Sequence, residues 1–289
     1  MKFENQKTHK WQGAAVLEPQ GPIVQTLISF SITTLESFAF YAGVFLVMAT
    51  LPYLVLWRWQ RERFSHKRIQ KKTKRQPRVA REIGYSLLTL FTFSAMLGAL
   101  FELPRHGLTL IYFSIGDYGW IYFIFSIAVM AVVHDSYYYW AHRLMHTRWL
   151  FKHVHMMHHQ FTNPTPFAAY AFHPGEIVIE IAVFGVLPFI MPLHPAAIAT
   201  YVVILTYLNV ISHLGFELYT SKTLHRWFIT STHHNMHHSR VSGNYMLYFN
   251  IWDKLMGTNH SDYDAKYEEL ANAEPGRPAA AAEGDAQAR

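Results

Sequence analysis

The sequence predicts an all-α, polytopic membrane protein with about four transmembrane or re-entrant helices and a helical, histidine-rich cap holding two metals on the cytoplasmic side. Three observations predict it. Hydrophobic residues make up 51% of the 289 and lie in long blocks, whereas only 15% are charged, a distribution unlike that of a soluble domain. A strongly basic stretch separates two of the blocks. Histidines number 19, equal to Asp plus Glu, and most fall between His134 and His238, which makes metal binding the first hypothesis.

The elements follow in order. Residues 1–23 are mixed and polar, with no basic start leading into a compact apolar run, so no removable secretory signal is expected. Residues 37–57 carry no charge for 21 positions, and residues 83–101 for 19, close to the ~20 that a helix needs to cross the hydrocarbon core. Residues 107–133 form a third apolar run, interrupted only by Asp117. Between 181 and 212 there is no acid, Lys or Arg and a single histidine, His194, while Pro188, Pro192 and Pro195 sit mid-block; two short helices meeting at a turn are expected, as a hairpin or a re-entrant pair. The expected organisation is a polar segment 1–23, a transmembrane region 24–133, a catalytic region 134–263 containing the hairpin 177–212, and a flexible tail 264–289.

The loop 58–81 holds 11 of the 25 Lys plus Arg against a single acid, Glu62, and should be cytoplasmic. Counting spans from it returns both histidine-rich stretches to the cytoplasmic side. The net charge of +6 thus reflects a topogenic loop rather than a nucleic-acid surface. No cysteine is present, which excludes disulfides, thiolate-bound haem, iron–sulfur clusters and cysteine nucleophiles within the chain.

His142 and His146 are four apart, which stacks two imidazoles on one helix face. Asp135 lies two turns earlier on that face, where a carboxylate could orient a ligand ring. His155, His158 and His159 have the spacing i, i+3, i+4, and His234, His237 and His238 repeat it about 80 residues later. Eight imidazoles suffice for two ions with four nitrogen ligands each. Lone histidines near a membrane surface are more often packed side chains, and His9, His66, His106, His194, His225 and His260 are read that way. His134, His153, His173 and His233 are set aside as weaker candidates. Grouped rings at membrane depth are different, because burying them without a partner is costly. A histidine-rich pair of ions beside apolar helices suits oxygen chemistry on a lipid chain, and di-iron is the favoured reading. The competing class is a membrane metal-binding or metal-transport protein for zinc or copper, which should carry ligands along its spans; none lies in the first two. A zinc protease would need an H-E-x-x-H pair, which is missing.

These residues resemble the fatty acid hydroxylase and sterol desaturase superfamily of integral membrane non-haem di-iron enzymes, over residues 133–258. The stretch His134-Asp-Ser-Tyr-Tyr-Tyr-Trp-Ala-His-Arg-Leu-Met-His146 is similar to that family's first box. Residues 152–165, KHVHMMHHQFTNPT, resemble the second box with its Asn-Pro-Thr signature, followed by Ala169-Tyr-Ala-Phe-His-Pro174. His233 to His238, Asn244-Tyr245, Trp252-Asp253 and Gly257-Thr258 resemble the third. The resemblance implies iron ligation by His142, His146, His155, His158, His159, His234, His237 and His238. It also implies a ninth ligand at His213, with Asn209 standing where some relatives have histidine. O2 as co-substrate, a sterol or fatty acyl lipid, and an external cytochrome b5-like or ferredoxin-type electron donor are implied in the same way. His173-Pro-Gly-Glu176 has a trace of a haem motif but no surrounding domain, and no haem is assigned.

Overall fold

The computed structural model describes residues 21–70 and 77–275; the polar N-terminal segment, part of the basic loop and the end of the tail lie outside the described residues. Ten helices occur among them: α1 (Pro22–Pro52), α2 (Val79–Glu102), α3 (Gly119–Met145), α4 (Arg148–Leu150), α5 (Met156–His159), α6 (Pro174–Ile190), α7 (Pro195–Ser212), α8 (Ser231–Arg240), α9 (Ile251–Leu255) and α10 (Tyr263–Ala271). Short 3-10 and π-helical turns link several of them, and no strand occurs among the described residues beyond isolated bridges.

Among the described residues, four helical stretches are long and apolar enough to cross a membrane: Pro22–Trp59, Val79–His106, Gly119–Met145 and Pro195–Ser212. Their outward faces carry bare hydrocarbon, as at Ile121 (88% exposed), Ile23, Leu51 and Val47. Such surface is stable only against lipid, where the helix satisfies its own backbone hydrogen bonds. The inward faces meet in one core that includes Phe45, Met130, Leu193 and Tyr201.

Span boundaries differ from those expected in two places. The first helix begins at Pro22, whose missing N–H suits a helix start, and runs on through a π-helical turn at Tyr53–Trp59. The third begins at Gly119 instead of 107, because Gly107 (φ 66°) and Gly119 (φ 77°) take left-handed conformations that keep the intervening segment out of the α-helix. From Gly119 the helix runs unbroken into the first histidine box, so a single rod carries the chain from the bilayer to the site. The proline-rich block folds as expected: α6 and α7 meet at a short turn, with Pro174 and Pro195 each in the first helical turn. The tail expected from residue 264 instead opens with α10, whose Tyr267 and Leu270 are buried; Tyr263, Tyr267 and Leu270 repeat at helical spacing.

Helices α1 and α2 pack closely through Gly98. A Cβ there would overlap Thr34 Oγ1 and lie 3.0 Å from the Phe30 carbonyl oxygen. Small residues let spanning helices approach where no water-driven force joins them. Gly98→Val is therefore expected to destabilise the protein by about 1–3 kcal/mol, read as a lower thermal unfolding midpoint in detergent.

The other face of α2 is polar in a regular row. Glu82 accepts a hydrogen bond from Thr165 Oγ1, Ser86 Oγ donates to the Phe167 carbonyl oxygen (2.8 Å), and Thr89 Oγ1 donates to that of Phe172 (3.2 Å). Residues i, i+4 and i+7 share a helix face, so α2 holds the segment that follows the second box. The cap meets the described start of the basic loop. Lys67 Nζ donates to the carbonyls of Leu270 and Ala271 (2.9 and 2.6 Å) at the end of α10, and Trp57 Nε1 donates to that of Leu214 (2.9 Å).

Candidate metal centre

All nine histidines singled out from the sequence converge, in two adjoining groups. His142, His146, His155, His159 and His237 offer ring nitrogens within 4.8 Å of one another, and His158, His213, His234 and His238 do the same. All but His146 are buried.

The two H-x-x-H-H triplets do not keep to one group. Successive helical residues turn by about 100°, so positions four apart nearly align while adjacent positions diverge. His155 and His159 therefore enter the first group while His158 enters the second. In the third box His234 and His238 pair in the second group and His237 crosses to the first. The one-face arrangement expected for each triplet is corrected accordingly. A π-helical turn at Phe151–His155 immediately before α5 contributes to aiming the second box.

Hydrogen bonds on the far side of the rings fix which nitrogen carries the proton. His142 Nδ1 donates to the Tyr245 carbonyl (2.9 Å), His213 Nδ1 to that of Asn209 (2.8 Å) and His237 Nδ1 to that of Gly243 (2.7 Å). A carbonyl only accepts, so each Nε2 is left as a bare lone pair pointing inward. His142 Nε2 faces His155 Nε2 at 3.1 Å, which in turn lies 3.0 Å from His159 Nε2; His234 Nε2 lies 3.1 Å from both His213 and His238 Nε2. The Nε2 atoms of His146 and His237 are buried without a partner. Two nitrogens at right angles on one metal, with bonds of ~2.1 Å, lie about 3.0 Å apart. The donor set thus fits a metal ion in each group.

Burial, aided by neighbouring rings, holds these imidazoles neutral. His155, His158, His234, His237 and His238 lie well below their ordinary pKa, and burial lowers His146 and His213 to about 4 each. Rings that resist protonation when folded, but take protons when unfolded, make stability fall on acidification. For His146 and His213 the window runs from the ordinary 6.5 down to about 4. In metal-free protein, replacing His213 by a neutral isostere such as Asn should therefore reduce the loss of stability on acidification across that window; an unchanged pH profile would contradict the assignment.

Asp135 does not orient a ring. Its Oδ1 accepts from the backbone N–H groups of Tyr248 and Phe249 (both 3.0 Å), so it pins the loop whose Tyr245 carbonyl receives His142. Asp253 works alongside, accepting from the N–H groups of Tyr245 and Met246 (2.9 and 2.7 Å) and from Thr258 Oγ1 (2.6 Å). The Trp-Asp and Gly-Thr motifs are thereby loop supports. Asn209 acts through its main-chain oxygen on His213. The carboxylate that meets one of the nine imidazoles is Glu176, whose Oε1 accepts from His155 Nδ1 (2.7 Å), both side chains fully buried. Sequence reading missed it, although two acids four apart in the otherwise apolar α6, Glu176 and Glu180, were a signal.

The weaker candidates lie elsewhere. His134 is buried against Tyr201 Oη (2.6 Å), His153 is exposed and bonded to the Trp149 carbonyl, His173 caps α6, and His233 Nε2 faces Asn259 (3.0 Å).

A helical protein that crosses the bilayer and gathers nine histidines into two neutral, inward-facing groups is of the membrane histidine-box oxidoreductase class. The family model for fatty acid hydroxylase matches residues 127–258. Lathosterol oxidase of Rattus norvegicus is 31% identical over 243 residues, covering 83% of this chain and 77% of the relative. Delta(7)-sterol 5(6)-desaturase ERG3A of Gibberella zeae is 29% identical, covering 82% of this chain and 64% of the relative. No solved structure matches. The chain belongs to the fatty acid hydroxylase/sterol desaturase superfamily. It is an integral membrane, lipid-modifying oxidoreductase, and these relatives give no support to metal transport.

Proposed function

We propose that each histidine group holds one iron ion and that the enzyme uses O2 to desaturate or hydroxylate a sterol-type lipid. The observation that carries this reading is the opposition of lone pairs from three separate boxes around two centres. The names of the relatives, which act on lathosterol and Δ7-sterols, support a sterol ring system as the substrate.

When bound, the iron pair supplies O2 reduction and removal of hydrogen from an unactivated C–H bond. The chain's own groups hold the geometry. The carbonyls of Tyr245, Asn209 and Gly243 and the carboxylate of Glu176 fix four imidazoles in one tautomer and orientation, which keeps the lone pairs aimed inward. Beneath the groups, Leu90, Phe93, Ile181 and Leu247 line a narrow, mainly apolar cavity.

Electrons come from a separate cytochrome b5-like or ferredoxin-type donor, since the chain offers no cysteine for a cluster. The positive-inside rule places the loop 58–81 in the cytoplasm. Contacts of Lys67 with α10, and of Gln70 Nε2 with the Thr162 carbonyl (2.5 Å), support the same side for the histidine cap. The catalytic region then spans 134–263, including the hairpin 177–212.

Lipid extracts of cells with and without the gene should differ by a product shifted by two hydrogens or one oxygen atom. Detergent-purified protein should hold about two irons per chain. Zinc alone, with no O2 consumption on added sterol, would refute the reading.

A further inference from the structure

Two cavities adjoin the centre. The inner one, about 30 Å³, lies one helical turn from the ligands: Tyr138 precedes His142 by four residues, Asn209 precedes His213 by four, and both line it. The outer one, about 600 Å³, is an apolar groove between α3 and α7, walled by Ile124, Ala131, Ile204 and Phe228. Leu205 borders both.

Glu180 lines the inner cavity. It is 5% exposed, and its Oε1 has no hydrogen-bond partner. Among the polar neighbours, His134 is bonded to Tyr201, Thr89 to the Phe172 carbonyl and Tyr170 to Thr206, while Tyr138 and Asn209 also line the cavity. A buried carboxyl without a partner is costly, and the space beside it admits about one oxygen atom, the share of a single water being ≈ 30 Å³. A bound water there would need two to four polar partners. A hydroxyl attached to an apolar body needs only the one, and the neighbouring groove has room for such a body between two spanning helices, where its occupant arrives from the bilayer.

We propose that Glu180 is a specificity-determining residue that hydrogen-bonds the hydroxyl of a lipid alcohol whose apolar body occupies the groove between α3 and α7. The inference rests on the lipid-oxidation reading above and refines its substrate class. Holding the hydroxyl one turn from the ligands directs oxidation to carbons near the hydroxyl end, away from the far tail.

The test uses iron-loaded protein in detergent, with a Δ7-sterol bearing a free hydroxyl and the same hydrocarbon lacking it. Anaerobic binding by the wild type should favour the alcohol by about ten-fold or more. The preference should weaken in Glu180→Gln and vanish in Glu180→Leu, with iron content unchanged. Equal binding of both probes by the wild type would overturn the anchor and leave a water as the occupant, as would a preference that survives in Glu180→Leu. Turnover separates the two readings. An alcohol preference without oxidation of either probe refutes the sterol reaction and keeps the anchor, whereas equal binding and equal oxidation refute the anchor and keep the reaction.

Discussion

His158→Ala is expected to lower product formation by more than about a hundred-fold and to bring bound metal from two ions per chain to about one. His158 is the member of the second box that crosses to the group of His213, His234 and His238. That group has four members and the other has five, so losing one leaves three rings, while His142, His146, His155, His159 and His237 are untouched. His158 is buried against Phe172 and His238, with ring centroids 4.8 and 4.4 Å away, so the truncation also opens a small cavity. The control is His153→Ala, five residues earlier, an exposed ring bonded only to the Trp149 carbonyl, which should leave both readouts unchanged. Metal analysis and lipid product are measured on the same preparation. Persistence of two ions and of product in His158→Ala would refute the two-group centre.

Glu176→Leu should weaken metal binding by about 10–100-fold, with a parallel loss of turnover. Its carboxylate is the acceptor for His155 Nδ1, and neither side chain reaches solvent. Without that acceptor, His155 is free to carry its proton on Nε2, the atom that faces His142 and His159 at 3.1 and 3.0 Å. A proton there takes one of the five lone pairs from the first group and leaves four. Glu176→Gln keeps a carbonyl oxygen in nearly the same place and should restore most of the affinity. Chelator competition on the two variants separates orientation from packing: equal losses in both would show that the hydrogen bond does not govern the site.

Much of this protein was legible before folding. Charge-free runs long enough for a bilayer, and prolines grouped at 188–195, marked the spans and the turn, because lipid permits so few backbone solutions. The resemblance named all nine histidines that the fold brings together, eight in the three boxes and His213 in the segment after the hairpin. Boundaries were less legible, since the start of α3 depends on left-handed glycines and α10 hides its apolar face only by docking on the cap.

The sequence by itself determined the spans and the set of imidazoles, since hydropathy and i, i+4 spacing act over one or two helical turns. Only the tertiary structure decided how that set divides. His158 and His159 are neighbours in the chain yet serve different groups, because a helix sends adjacent side chains about 100° apart and the opposing helix fixes which direction finds partners. It also decided that Glu176, rather than Asp135, holds a ring, and that Asn209 acts through its main chain. Those roles depend on which carbonyl or carboxylate another segment brings within 3 Å of each imidazole, a distance that no spacing along the chain encodes.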